Sequence, residues 1–226
     1  MRQCSPMWWQ ARRGRVTCSS MDKVLTGRNA EPSKQQDVYI RQLCEDVRFQ
    51  GPNYFSESLV NKPPNQAITD GIKREPDARR YLEFVLDCEV KQVGFIVHES
   101  NVIGGSPDGL IVLSSGEMEG AEVKCPQEKT QKRYLLDPGS LLLEYKQQVH
   151  GSLIVSELNR WHLLSYCPPL DPVCLVVERD RYTERLQDEL IVFVGRYNET
   201  MKSLLGYDLA DMLCRLHPSD TYEDVA

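Results

Sequence analysis

The chain lacks any apolar run approaching the length of a membrane span, and its first residues carry no apolar stretch of the secretory kind. These absences exclude a membrane partner from the reading and leave a cytoplasmic protein as the expectation. Eight cysteines include no C-x-x-C pair and the four histidines are scattered, which argues against a zinc module and for reduced thiols. No internal repeat or low-complexity tract stands out. Positive charge is also scarce: the net charge is −6, which at first counts against a nucleic-acid partner. Its distribution softens this. Arg2, Arg12, Arg13, Arg15, Lys23 and Arg28 face one acid, Asp22, in the first thirty residues, whereas nine acids outweigh five bases from Arg181 onward. A basic lip and an acidic tail are compatible with local phosphate binding.

What is present suffices for one good core. With 226 residues, a single α/β domain is expected over 1–226, with its core over about 8–205 and a short acidic tail over about 206–226. Helices are expected over Val38 to Phe49, Thr69 to Asp87, Leu141 to Val155 and Arg181 to Leu204. Ala78, Tyr81, Leu82, Val85 and Leu86 recur at helical spacing in the second; Leu186, Leu190, Phe193, Val194, Tyr197 and Met201 mark the buried face of the last. Pro76 either kinks the second helix or starts a new one, leaving Glu75 near an N-terminal end. Val90 to His98 is expected as one strand, and Trp161 to Tyr166 and Val173 to Val177 as paired strands around a Pro-Pro loop. Residues 20 to 34 and Asn61 to Gln66 read as loops, and Lys129, Lys132 and Arg133 fall on a helix or loop.

The sharpest signal is S-P-D-G-L at Ser106–Leu110, followed by E-V-K-C-P at Glu122–Pro126. Glu122 and Lys124 are two apart, so on a strand both leave one face while Val123 points into the core. Leu110 to Leu113 forms an apolar strand, and Ser114-Ser115-Gly116 with Gly120 lets the chain double back. The hairpin then brings Asp108 beside Glu122. Two carboxylates with an ammonium next to them can hold a hard cation through oxygen ligands and set a lysine over an attacking water. Each piece alone is bland, since Asp-Gly is usually a turn and Glu-x-Lys on a strand is usually a solvated face. The conjunction outweighs that: Pro107 fixes the entry to the turn, Gly104-Gly105 permits close approach, and Cys125-Pro126 ends the strand. Glu75 reads as a surface acid complementing a helix dipole, or as a third carboxylate turned toward the metal. The stretch W-W-Q-A-R-R-G-R-V-T-C-S-S from Trp8 to Ser20 reads equally as a surface helix with solvated arginines or as a phosphate-gripping segment.

In these motifs, and in Y-K-Q-Q-V-H-G at Tyr145–Gly151, the chain resembles the phage lambda exonuclease family, also called the YqaJ-like viral recombinase family. The Trp8 to Ser20 segment resembles the family's W-x-x-x-R-x-G-x-x-T-A-S, with Cys18 where Ala is typical, and G-I-K-R-E-P-D-A-R resembles its G-x-x-x-E-x-x-A-R helix. The resemblance runs from Trp8 to about Arg179. It implies a restriction-endonuclease-like core, a mixed central sheet flanked by helices, and Mg²⁺-dependent degradation of linear duplex DNA, with Mn²⁺ as an alternative ion. Digestion from 5′ ends would leave 3′ overhangs for a single-strand annealing protein, in a bacterial or phage-infected host cytoplasm. A homo-oligomer, as a ring-shaped trimer, is implied too. By position, Asp108, Glu122 and the Val123 carbonyl would be metal ligands, Lys124 would orient the water, and Glu75 would be an accessory carboxylate. Gln148 would order water or substrate, and Arg12 with Ser19 would hold a 5′-phosphate.

Two other readings stay open. One is a metal-dependent endonuclease or structure-specific nuclease on the same core, disfavoured by Arg12 and Ser19. The other is a non-catalytic DNA-binding recombination protein, disfavoured by the complete Asp, Glu and Lys set.

Overall fold

A computed structural model describes residues 3–48 and 66–217, with side chains of 66–68 left aside. Seven α-helices lie in these segments: α1 (Pro6–Arg12), α2 (Gln36–Arg48), α3 (Gln66–Leu86), α4 (Glu128–Leu136), α5 (Pro138–Ser156), α6 (Arg181–Leu205) and α7 (Leu209–Leu216). The strands are β1 (Val16–Thr17), β2 (Glu89–Lys91), β3 (Ile96–Val97), β4 (Ile103–Gly105), β5 (Gly109–Val112), β6 (Met118–Lys124), β7 (Arg160–Ser165) and β8 (Val173–Glu178).

Alternation of side chains along β6 organises the molecule. Ala121 and Val123 point to one face and pack with Ala78 and Leu82 of α3, Val90, Ile111 and Leu164. On the other face, Trp161 and Leu163 of β7 join Tyr134 of α4 and Leu141, Val149 and Leu153 of α5. The five-stranded sheet, in order β2-β5-β6-β7-β8, is thus covered by α3 on one side and by α4 and α5 on the other. It is mixed: β6 and β7 run parallel, and the other pairs are antiparallel. The parallel pair requires a crossover, which α4 and α5 supply. This is the expected restriction-endonuclease-like α/β architecture.

A second sheet was not anticipated. Strands β1, β4 and β3 form it, with β1 parallel and β3 antiparallel to β4. The expected single strand from Val90 to His98 is accordingly corrected to two short strands, each paired in a different sheet. Between them Phe95 lies over Gly104, where a Cβ would overlap its ring. Residues 20 to 34 are also more ordered than a plain loop: Cys18–Lys23 is a 3-10 helix, and Leu25 bridges Pro32. Of the expected Asn61 to Gln66 loop, Gln66 is helical and the rest lies outside the described residues, as does Phe49. Pro76 sits inside one continuous helix, so Glu75 lies in its interior and not near an N-terminal end.

The third packed cluster joins the N-terminal segment to the C-terminal helices. Val16, Met21, Tyr39, Leu43 and Ile103 meet Leu186, Leu190, Phe193, Tyr197 and Met201 of α6, with Leu209, Met212 and Leu213 of α7. Val194, expected on the buried face of α6, is only partly buried. Asp180 caps α6, accepting hydrogen bonds from the Tyr182 and Thr183 N–H groups, while Thr183 reciprocates to the Asp180 backbone. Among the described residues no helix is long and apolar enough to cross a membrane.

Candidate active site

The β5–β6 hairpin builds the site from main-chain hydrogen bonds outward. Its ladder ends with Gly109 opposite Ala121. One residue earlier, the Asp108 N–H donates to the Ala121 carbonyl at 3.1 Å, and its Oδ2 accepts from the Val123 N–H at 2.7 Å. A strand residue sends its N–H and C=O to the same side, so the Val123 carbonyl also faces the Asp108 edge, past the end of the ladder. Glu122, 3 % exposed, and Lys124 leave the strand on the opposite face from Val123. Lys124 Nζ donates to Glu122 Oε1 at 2.6 Å and to Gln148 Oε1 at 3.2 Å. Gln148, on α5, donates from Nε2 to the same Glu122 oxygen at 2.6 Å.

The electrostatics follow from this crowding. Burial, and next the Glu122 charge, push the Asp108 carboxyl well above the usual carboxylate range, while Lys124 and the Val123 N–H act the other way. For Lys124, burial disfavours the ammonium, but the charges of Glu122 and Asp108 overcome it and its pKa is raised. Glu75 contributes to the field at both groups. Its own carboxylate is held by Arg79 at 3.2 Å on the next turn of α3. Glu75 therefore acts on the cluster through charge, without a hydrogen bond to it.

Arg12 and Ser19 form a second group. Ser5 caps the start of α1, Gly14 at φ 70° turns the chain after its end, and Arg12 meets Ser19 of the 3-10 helix, Nη2 donating to Oγ at 3.2 Å. The Arg12 guanidinium lies 4.3 Å from the centroid of a Trp8 ring, and Trp8 Nε1 donates to Ser106 Oγ at 2.7 Å. This ties the segment to the loop carrying Asp108. The Cys18 thiol feels the charges of both Glu122 and Arg12. Burial pushes this thiol up to about 12, so it remains neutral. The other two arginines serve the fold and are not a solvated basic lip. Arg15, 2 % exposed, donates to the Ala11 carbonyl at 2.5 Å and to Asn101, and Arg13 donates to the Asp46 carbonyl at 3.0 Å.

Hard oxygen donors are what this cluster offers. The two carboxylates and the Val123 carbonyl could hold a divalent cation, whose charge would relieve the crowding of Asp108 by Glu122. Among the described residues no group of three or more His, Cys, Asp or Glu side chains is placed to hold a metal. Such a sparse protein set fits an ion that keeps several water ligands, as Mg²⁺ does. Tyr145, which lies in the quoted Y-K-Q-Q stretch but was not singled out there, brings the centroid of its ring to 4.5 Å from Lys124 Nζ. Its spacing of three from Gln148 on a helix was the signal that could have revealed it.

The profile of the YqaJ-like viral recombinase domain matches residues 7–159. In three dimensions the chain is similar to an alkaline exonuclease, LHK-Exo, from Laribacter hongkongensis, with TM-score 0.69, 25 % identity, and coverage of 88 % of this chain and 96 % of that one. The same enzyme in complex with dAMP matches with TM-score 0.70 and 24 % identity over 88 % and 96 % of the two chains. A phage-related exonuclease from Haemophilus somnus 129PT shares the fold, with TM-score 0.51 and 13 % identity over 84 % and 96 %. No curated protein matches the chain in sequence.

Proposed function

The chain belongs to the YqaJ-like viral recombinase domain family and is a nuclease of the lambda exonuclease type, and from that premise we propose that it is a Mg²⁺-dependent exonuclease degrading linear duplex DNA from 5′ ends to leave 3′ overhangs. The observation that carries this reading is the closed set Glu122–Lys124–Gln148 beside a main-chain-pinned Asp108, with the Arg12–Ser19 pair tied to the Asp108 loop through Trp8 and Ser106. Asp108, Glu122 and the Val123 carbonyl would hold the metal, with Mn²⁺ able to replace Mg²⁺. A divalent ion bound there supplies charge neutralisation at the scissile phosphate and a more acidic water. Lys124 donates a hydrogen bond to the attacking water and to charge developing on the phosphate. Gln148 keeps Lys124 and Glu122 in register, and Glu75 adds negative field as an accessory carboxylate. The Arg12 fork, with the Ser19 hydroxyl, holds the terminal 5′-phosphate. The dAMP complex of the Laribacter enzyme supports a nucleotide-sized site in this fold. A single domain over 1–226, a ring-shaped homo-oligomer and a single-strand annealing partner belong to the same reading.

The test compares linear plasmid with 5′-phosphate, linear plasmid with 5′-hydroxyl and closed-circular plasmid, each with Mg²⁺ or EDTA. Rapid loss of the phosphorylated linear form alone, abolished by EDTA, is expected. Attack on the closed circle would make the enzyme an endonuclease, and DNA binding without cutting would leave a recombination protein with a relic site.

A further inference from the structure

Lys124 has a third neighbour besides Glu122 and Gln148. Its Nζ lies 4.5 Å from the centroid of the Tyr145 ring, within reach of a cation–π contact. Tyr145 and Gln148 are three residues apart on α5, so both project from one helical face toward the end of β6. One rigid element thus presents two different contacts to one ammonium. The Lys124 side chain is only 21 % exposed, which strengthens the attraction of a ring for a cation relative to a solvated site.

The ring differs in kind from the other two contacts. An ammonium has three protons, and Glu122 and Gln148 each take one. A contact to a π-face stabilises the charge without engaging a further acceptor oxygen. The remaining proton is left for a water or a phosphate oxygen. A carboxylate in the ring's place would tie up that proton; an aliphatic side chain would leave the ammonium to swing about its four-carbon stem.

We propose that Tyr145 is a positioning residue, whose ring face restrains the Lys124 ammonium so that its free proton points at the reacting phosphate. This rests on the nuclease reading of Lys124. The ring's contact with the ammonium stands apart from that reading and has its own readout.

The experiment uses the full chain and four variants: Tyr145→Phe, Tyr145→Leu, Lys124→Met and the double variant Tyr145→Leu/Lys124→Met. Digestion of 5′-phosphorylated linear duplex is followed under single-turnover and steady-state conditions with Mg²⁺. Tyr145→Leu is expected to lower kcat by roughly 5- to 30-fold with KM for DNA ends little changed. Tyr145→Phe, which keeps the ring, recovers all but about twofold of that loss. In the Lys124→Met background the leucine substitution costs nothing further. Independently of cutting, NMR of the wild-type chain should show the Lys124 ε-methylene protons shifted upfield by the ring, and the shift should vanish in Tyr145→Leu. A Phe variant as slow as the Leu variant, a loss confined to KM, or an undiminished loss without Lys124 would each overturn the proposal. So would an unshifted ε-methylene signal. Full activity of Lys124→Met would instead overturn the catalytic reading of Lys124, leaving the ring contact to the NMR result.

Discussion

At the scale of single residues, the site sets function against stability. Asp108 is half-buried beside Glu122, and its carboxylate form is disfavoured by desolvation and by that second charge. Evolution of a stable hairpin alone would not retain such a pair. Asp108→Asn keeps an oxygen to accept the Val123 N–H and removes the like-charge contact. Turnover is therefore expected to fall by about three orders of magnitude or more, through loss of a metal ligand. The melting temperature should hold or rise by a few degrees. Digestion assays paired with thermal unfolding check both halves; a variant that cuts normally would remove Asp108 from the site. Cys18 illustrates the complementary case. Its thiol is buried with a pKa pushed up to about 12, so it packs near both Arg12 and Glu122 without adding a charge of its own.

At the scale of elements, two joints hold the site in place. The first is the parallel β6–β7 pair. A Cβ added at Gly120 would overlap the Trp161 ring, which is 1 % exposed and packed against α4 and α5. Gly120→Val is expected to destabilise the chain by about 1–3 kcal/mol through overpacking, measured by urea unfolding. Because Glu122 lies two residues further along, loss of activity should accompany it. The second joint is α5 on α6. His150 is 1 % exposed, its Nδ1 lies 2.7 Å from Thr183 Oγ1, and Asp180, Lys146 and the Tyr182 ring surround it. Burial lowers its pKa from 6.5 to about 4, against the favourable charge of Asp180. Between those values the unfolded chain binds more protons than the folded one, so this contribution is complete above the unfolded pKa and is lost as the pH falls. Unfolding free energy should drop by about 2–3 kcal/mol between pH 7 and pH 4.5 on this account. His150→Gln should flatten that part of the profile, and an unchanged slope would show that other groups set it.

At the scale of the whole molecule, the fold is expected to stand without a bound metal. Its three packed clusters are built from apolar side chains on both faces of the sheet and around α6. EDTA should thus abolish cutting and leave the melting curve cooperative. Adding Mg²⁺ at tenfold excess over its Kd should stabilise the folded chain by about 1.4 kcal/mol, or roughly 3–6 °C. The shift should be absent in Asp108→Asn, and its persistence there would place the bound ion elsewhere. The net charge of −6 is compatible with DNA chemistry because the first thirty residues carry six bases against one acid, and Arg12 among them is held at the site by Trp8 and Ser19.

Local pattern was sufficient for much of this. Helical spacing in α3 and α6 and the two-residue spacing along β6 are short-range properties, set by residues a few positions apart, so these helices and the Asp108 hairpin could be read directly from the chain, whereas the mixed sheet flanked by helices followed from the family resemblance. The placement of Glu122 and Lys124 on one face followed from a two-residue repeat. Contacts between distant segments could not be read that way. The split of residues 90–98 between two sheets depends on β4 and β1, whose pairing is a long-range contact with no local signature. Arg12, Arg13 and Arg15 look alike in sequence, yet only packing made Arg15 a buried brace to Asn101 and turned Arg12 toward Ser19. Gln148 could be named from a motif, but its bridge across 26 residues to Glu122, and the ring of Tyr145 over Lys124, exist only because α5 crosses the end of β6.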